Sequence, residues 1–86
     1  MKYYVLKIND KMVRKHDITQ DWYDGEWDVN MFCTYTDDIN LAEKYTQKEI
    51  MENLGDVKYL KTYFDEFEYV DGKTKIEDYD FVEVDL

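Results

Sequence analysis

The sequence predicts an α+β fold, in which an antiparallel β-sheet carries one or two helices packed on one face. Three observations support this prediction. Runs of β-forming residues occur in both halves of the 86-residue chain, turn dipeptides separate several of them, and a helix-capping pattern lies between them. Strands followed by helices and then by more strands are typical of this class. The length corresponds to a single domain, residues 1–86.

The N-terminal segment predicts a β-hairpin. Residues 2–8 read KYYVLKI, a short run of β-formers, and the segment KMVRKHDI continues as a second strand. Asn9 and Asp10 lie between the two segments and tolerate turn conformations. His16, the only histidine, falls among basic residues of the second strand. We expect its side chain to face solvent.

Residues 27–35, WDVNMFCTY, give the clearest strand pattern. We expect Trp27 to head a buried face and Cys33 to be a buried structural thiol. Residues 22–26 are predicted to form a loop with a turn at Asp24 and Gly25. The alternation places five side chains on one face of the strand: Trp27, Val29, Met31, Cys33 and Tyr35.

The middle of the chain predicts helices. Thr46 and Glu49 form a T-x-x-E capping box, and Gly55 is expected to end the helix that it opens. Asp56 is a candidate cap for a second helix, although residues 57–63 also alternate as a strand would. The expected apolar faces are Ile50, Met51 and Leu54 in the first helix, and Val57, Leu60 and Phe64 in the second.

The C-terminal segment predicts three further strands. Residues 67–70 and 73–76 flank Asp71 and Gly72, a dipeptide that favours a tight primed turn. Residues 79–86 are predicted to form a final strand. Together with the N-terminal strands, these segments complete the antiparallel sheet.

Charge is the outlying property of the composition. The chain has 21 acidic and 11 basic residues, a formal net charge of -10. Residues 21–43 hold seven acids and no base, and residues 62–86 hold nine acids and two lysines. Because phosphate neutralisation supplies much of the affinity of a nucleic-acid binder, we expect no direct nucleic-acid binding. Such a surface favours basic partners.

Each acidic block contains candidate partner-binding residues. In the first block, Trp22 and Tyr23 are rigid anchors of the kind that dominate interfaces, and acids surround them. The alternative is that Trp22 folds back over the sheet edge. The first set of candidates is Asp21, Trp22, Tyr23, Asp24 and Glu26.

The second block predicts rows of carboxylates along strands. Acids two residues apart on one strand lie roughly 6.5–7 Å apart, a spacing that imitates successive phosphates. The alternative is that they form only the wet faces of half-buried strands. The candidate pairs are Glu66 with Glu68, Asp78 with Asp80, and Glu83 with Asp85.

The sequence does not predict an enzyme. It has no glycine-rich phosphate loop, no G-x-S-x-G and no HExxH, and its acids are too abundant for any pair to indicate catalysis. Neither Asp-Gly dipeptide fits an EF-hand register, because aromatic residues fall where oxygen ligands are required. We therefore expect no catalytic residues, no metal ligands and no cofactor.

Two observations bear on location. The single cysteine excludes an internal disulfide and fits a reducing cytoplasm. The segment KYYVLKI is too short and too charged for a signal peptide, and no apolar run approaches about 18 residues. We expect a cytoplasmic protein that does not span a membrane.

Three segments carry a resemblance: the start MKYYVLKI, the middle YTDDINLAEKYTQKE and the end EDYDFVEVDL. In general style the whole chain resembles small acidic proteins encoded by phages of Gram-positive bacteria. Several of these are anti-CRISPR inhibitors or other DNA mimics that occupy the nucleic-acid-binding groove of a host defence enzyme. The resemblance implies an inhibitor in the cytoplasm of an infected bacterium and assigns no role to any residue.

The leading interpretation is therefore a non-enzymatic inhibitor that binds a basic, nucleic-acid-handling host protein. A CRISPR effector nuclease is the expected target class, since its channels are lined with Arg and Lys. The second interpretation is a general interaction module, such as a phage regulator of a host replication or transcription protein, that uses the aromatic loop. The third is an acidic module that binds a cation or a sugar.

Overall fold

The computed structural model describes all 86 residues and confirms the α+β fold. It contains a five-stranded antiparallel sheet, a separate two-stranded ribbon and two helices. The strands of the sheet are β1 (Lys2–Ile8), β2 (Lys11–Tyr23), β3 (Glu26–Thr36), β4 (Tyr45–Thr46) and β7 (Tyr79–Asp85). The helices are α1 (Gln47–Glu52) and α2 (Gly55–Glu66), and the ribbon is β5 (Tyr69–Val70) with β6 (Thr74–Lys75).

Strand β1 lies at the centre of the sheet. One of its edges pairs with β7 over its whole length. Its other edge is shared, because β2 pairs with the end near Ile8 and β4 pairs with Tyr3 and Tyr4. The predicted N-terminal hairpin is confirmed, with Asn9 and Asp10 in its turn at φ 49° and 67°. The predicted final strand is confirmed as β7.

Strands β2 and β3 form a long hairpin that leaves the body of the protein. They pair from Met12 and Thr36 to Tyr23 and Glu26, and 13 residues of strand span about 40 Å. This hairpin explains the elongated shape, 47 × 27 × 19 Å. The predicted loop over residues 22–26 is wrong, since only Asp24 and Gly25 lie outside the strands. We call residues 17–32 the arm.

The predicted turn within that segment is correct in position. Asp24 and Gly25 have φ of 49° and 83°, the left-handed values of a type I′ turn. Such a turn matches the right-handed twist of two strands and lets them pair up to its edge. Strand pairing therefore extends through the aromatic residues that precede the turn.

One core lies between the sheet, the ribbon and α2. Helix α2 confirms the helical interpretation of residues 57–63, and the strand alternative is wrong. Tyr63, rather than Phe64, completes its buried face. The expected face of α1 is also wrong, because Met51 and Leu54 are exposed. The core cluster consists of Leu6, Ile8, Val13, Met31, Tyr45, Val57, Leu60, Tyr63 and Val70.

The helix boundaries follow local capping. The box of Thr46 and Glu49 is confirmed, with Thr46 Oγ1 accepting from the Glu49 amide at 3.1 Å. Asn53 ends α1 in a left-handed conformation at φ 55°, two residues before the expected stop. Gly55 therefore begins α2 instead of ending α1, with Leu54 in the capping position. Asn is the residue that replaces Gly most readily in this role.

The C-terminal ribbon is shorter than predicted. Asp71 and Gly72 form the expected primed turn, at φ 56° and 70°, but Lys73 is also part of the loop. Asp71 fastens the ribbon to the free edge of β3. Its amide donates to the Met31 carbonyl at 2.7 Å, and its Oδ1 accepts from the Cys33 amide at 3.1 Å. Neither helix of the protein is long and apolar enough to cross a membrane.

Candidate protein-interaction surface

The arm sorts the interleaved acids and aromatic rings onto two faces. Side chains of directly paired residues point to the same side of an antiparallel hairpin. The pair Trp22 and Trp27 therefore continues the inner face, which carries Ile18 and Met31 towards the core. The outer face carries four further pairs: Asp17 with Phe32, Thr19 with Asn30, Asp21 with Asp28, and Tyr23 with Glu26.

Burial along the inner face decreases from the body towards the tip. Met31 is fully buried, Val29 is half-buried, and Trp27 is 63% exposed. The prediction that Trp27 heads a buried face is therefore wrong, although the alternation that suggested it is correct. Helix α2 covers only the part of the hairpin nearest the body. The alternation of side chains along a strand shows which residues share a face, but it does not show how far along the strand the helix covers that face.

The two tryptophans pack against each other at the tip of the inner face. Their ring centroids are 5.2 Å apart at an interplanar angle of 70°, the edge-to-face geometry that aromatic pairs prefer. Trp22 is 60% exposed, so it does not fold away over the sheet edge. Tyr23, on the outer face, is 74% exposed. With Phe32, which is also exposed, the arm thus exposes four of the protein's large aromatic side chains.

The outer face places like charges opposite each other. Asp21 and Asp28 are direct cross-strand partners, and Glu26 is two residues from Asp28 on the same face. Like charges in this position destabilise a hairpin by roughly 0.2–1 kcal/mol. The ion pairs of the protein all lie outside the arm, so none of its five acids is paired with a basic group. The five are Asp17, Asp21, Asp24, Glu26 and Asp28.

The acids of the C-terminal block do not form the predicted rows. Glu66 is the last residue of α2 and Glu68 lies between α2 and β5, so the prediction of both on one strand is wrong. The helix continues this far because Tyr63 is buried and its hydroxyl donates to the Tyr69 carbonyl at 2.6 Å. Asp78 precedes β7, which contains only Asp80 of that pair.

The third predicted pair does lie on one strand. Glu83 and Asp85 are two residues apart in β7 and therefore share a face. Cations already accompany both of them. Lys2 Nζ lies 3.3 Å from Glu83, and the N-terminal ammonium of Met1 lies 3.3 Å from Asp85. No acid of the arm has such a partner.

A cleft separates the C-terminal end of α2 from the inner face of the arm. It consists of two adjoining depressions of about 150 Å³ and 300 Å³, which share Val29, Tyr63 and Phe67. Trp27, Glu68 and Tyr69 line the larger one, and Ile18, Tyr59 and Glu66 are among the residues that line the smaller one. The sequence did not indicate this cleft, because it depends on how α2 crosses the hairpin.

His16 is not on the surface, contrary to the prediction. A β-bulge between Val13 and Lys15 inserts one extra residue into β2, so Val13 and His16 both point inward. The His16 side chain is 12% exposed, and its Nδ1 lies 2.5 Å from Glu43 Oε2. The Tyr45 hydroxyl donates to the same oxygen at 2.9 Å. No pattern in the sequence linked these three residues.

The environment of Cys33 disfavours a thiolate. Burial and, to a smaller extent, the neighbouring Asp71 carboxylate raise the pKa of the Cys33 thiol to about 12. A cysteine nucleophile instead needs an electropositive setting that lowers its pKa. Burial, followed by the charge of Glu43, also raises the pKa of Tyr45. These groups are protonated at neutral pH and contribute to packing.

Comparisons with known proteins add no assignment. No family model matches the chain, and neither the curated proteins nor the solved structures contain a match. The side chains of His, Cys, Asp and Glu form no group of three or more that is suited to hold a metal ion. The residues of the arm and of the cleft are therefore the basis on which a function is proposed.

Proposed function

We propose that this protein is a non-enzymatic inhibitor that inserts its acidic arm into the basic groove of a nucleic-acid-handling protein. The observation that carries the proposal is the direct opposition of Asp21 and Asp28 on an arm without any paired base. Repulsion of this kind reduces stability, and a small domain has little stability to lose. A cationic partner turns the same arrangement into a favourable one.

The geometry of the arm supports charge mimicry. On the outer face, Glu26 and Asp28 are about 7 Å apart along β3, and Asp21 lies about 5 Å from Asp28 across the hairpin. Asp17 lies about 13 Å from Asp21 along β2. The arm thus presents negative charge on both of its strands, as a nucleic acid presents phosphates along its backbone. A CRISPR effector nuclease has channels lined with Arg and Lys and is the target class to test first.

The C-terminal acids contribute to the same function at longer range. Glu66, Glu68, Asp78 and Asp80 are exposed and carry no ion pair, whereas Glu83 and Asp85 are accompanied by cations. Charges outside the docking face mainly increase the association rate, and charges within it mainly slow dissociation. We therefore assign the docking role to the arm and a steering role to Asp78 and Asp80, which lie away from it.

The alternative of a general interaction module also has a specific observation in its favour. Trp22 and Trp27 form an exposed pair, and tryptophan is enriched among the residues that dominate interfaces. In that case the inner face would be the main contact and the acids would form its rim. Ionic strength separates the two functions, because salt screens exposed charges and has little effect on aromatic packing.

A nuclease inhibition assay tests the proposal. A variant with Asp21→Asn, Asp24→Asn, Glu26→Gln and Asp28→Asn keeps the shape of the arm and removes four charges. We expect it to lose inhibition of DNA cleavage by the effector, and we expect wild-type inhibition to weaken as salt is added. The matched control neutralises four exposed acids elsewhere: Asp10→Asn, Asp37→Asn, Glu52→Gln and Asp80→Asn.

The control distinguishes docking from total charge. Equal loss of inhibition in both folded variants would mean that net charge, and not the arm, carries the effect. If the effector is not inhibited at all, a pull-down from lysate of the bacterial host, with the wild-type protein and both variants as baits, identifies the basic partner. Retention of the same partners by the arm variant would contradict the proposal.

A further inference from the structure

We propose that the cleft between α2 and the inner face of the arm is a docking site for an arginine-bearing segment of the partner. This inference rests on the proposed function for the basic character of the partner and adds a second contact on the opposite side of the arm. The observation that supports the inference is that exposed aromatic rings, unpaired carboxylates and the C-terminal end of a helix meet at one cleft.

The base of the cleft is apolar. Ile18 and Val29 lie on the arm side, and Tyr63 and Phe67 lie on the helix side. Phe67 stacks on the buried Tyr63, with ring centroids 4.8 Å apart. Val29 and Phe67 are only half-buried, so this surface extends the core out to solvent. The aliphatic stem of a long side chain finds an apolar surface here.

Exposed rings surround that base. Trp27 lines the cleft directly, and Trp22 packs against Trp27 at the tip. Tyr59 lines the smaller depression and is 68% exposed, and Tyr69 lines the larger one and is 48% exposed. Three exposed rings that line one cleft, with a fourth packed against one of them, exceed the scattered apolar residues that are normal on a surface. Such a grouping marks an interaction site.

The charge of the cleft selects a cation. Glu66 and Glu68 line its two depressions, and neither forms an ion pair. Helix α2 has no basic residue in its last turn, where Asp65 and Glu66 add negative charge to the negative end of the helix dipole. A cation in the cleft satisfies the two carboxylates and the helix end together.

Arginine fits this combination better than lysine. Its planar guanidinium stacks on an aromatic face and also binds a carboxylate with two parallel hydrogen bonds. A lysine ammonium is a strongly hydrated point charge that lacks the planar match. A neutral apolar segment would leave Glu66 and Glu68 desolvated without a partner. A second copy of this chain would bring its own acidic arm against the same carboxylates.

Peptide binding tests the inference without knowledge of the partner. The probe is a short peptide with two central arginines in a Gly/Ser context, compared with versions that carry lysine, neutral citrulline or norleucine. Tryptophan fluorescence and the indole N–H resonances report binding. We expect the arginine peptide to bind about fivefold more tightly than the lysine peptide and at least about tenfold more tightly than the citrulline peptide.

Variants locate the binding site. Glu66→Gln with Glu68→Gln, and separately Trp27→Phe, should each weaken arginine-peptide binding by about fivefold or more while circular dichroism shows an unchanged fold. The matched control is Asp17→Asn with Asp21→Asn on the outer face, two acids that do not line the cleft, and it should keep the affinity within about twofold. If only the control variant loses binding, the cleft is not the site and the outer face is.

The other outcomes are equally decisive. Equal binding of the norleucine peptide would identify a neutral apolar partner and overturn the inference. Concentration-dependent dimerisation that the Trp27→Phe variant abolishes would identify a second copy as the occupant. The proposed function is tested separately, since a cleft variant that loses the peptide but still inhibits the nuclease removes this inference and leaves the acidic arm as the inhibitory element.

Discussion

Asp21 lies directly opposite Asp28 across the β2–β3 hairpin, and neither has a basic residue within ion-pair distance. Opposed like charges weaken a hairpin, and this pair sits near the end that α2 does not cover. Trp22 and Trp27, next to the two aspartates, pack together on the other face. At the tip, the aromatic pair is therefore stabilising and the acidic pair is destabilising.

Relief of this repulsion should stabilise the protein. We expect Asp28→Asn to raise the free energy of unfolding by about 0.5 kcal/mol at low salt, because Asp21 no longer faces a like charge. The gain should shrink as salt is added, since salt screens the repulsion in the wild-type protein. Urea unfolding at low and high ionic strength measures both effects.

A matched control variant should change the free energy of unfolding in the opposite direction. Asp80 lies across from Lys7 on β1, so Asp80→Asn removes an attraction and should lower stability slightly. A gain of stability in both variants would show that the net charge of -10 matters more than the Asp21–Asp28 pair.

Both tryptophans should be accessible to a neutral quencher. Trp22 is 60% and Trp27 is 63% exposed, so the single variants Trp22→Phe and Trp27→Phe should show similar acrylamide quenching. Strong protection of Trp27 alone would mean that α2 or a second chain covers the arm in solution. Repetition of the measurement at several protein concentrations separates those two causes.

Direct nucleic-acid binding is not expected. The five acids of the arm and the net charge of -10 repel phosphates. A gel-shift assay with duplex DNA and RNA at physiological salt and micromolar protein should show no complex. The four-acid arm variant serves as the comparison, since a complex formed by the wild-type protein but not by this variant would contradict charge mimicry.

Alkaline pH should destabilise the protein. Burial raises the pKa of Cys33 to about 12 from 9.0 and that of Tyr35 to about 12 from 10.0. Above pH 9 the unfolded chain therefore loses protons that the folded chain keeps, and the free energy of unfolding falls as pH rises. Below that range the contribution of both groups is fully present.

The urea midpoint as a function of pH measures this effect. Tyr35→Phe and Cys33→Ala should each make the midpoint less dependent on alkaline pH, because each removes a group whose folded-state pKa is raised. Tyr59→Phe is the control, since it removes a phenol that is 68% exposed. An unchanged slope in the Tyr35 and Cys33 variants would assign the pH dependence to other groups.

Glu43 should be important for stability although it lies in a loop. Its Oε2 accepts from the Tyr45 hydroxyl and contacts His16 Nδ1, and Tyr45 is almost fully buried. Glu43→Ala leaves both groups without a partner, which costs about 1–3 kcal/mol. Glu52→Ala, an exposed site, should change stability by less than about 0.5 kcal/mol. Equal effects of the two changes would show that the network contributes nothing.

Local signals predicted the elements that local interactions form. The α+β class, the N-terminal hairpin, the capping box of Thr46 and the turn at Asp71 and Gly72 are all present. Each depends on backbone preferences and on hydrogen bonds between residues close in sequence, which a short window contains. The boundaries of α1 and α2 were less accurate, because Asn53 and Gly55 compete for the same left-handed role.

Alternation and composition were enough to predict which residues of β3 share a face and how much charge the chain carries. Which of those faces are covered depends on contacts between distant segments, and no short stretch of sequence contains them. Alternation correctly grouped Trp27 with Met31, but only the position of α2 leaves one exposed and buries the other. The bulge before His16 and the extension of α2 to Glu66 likewise follow from contacts between distant segments. Burial depends on what packs against a face, and residues far along the chain supply that cover.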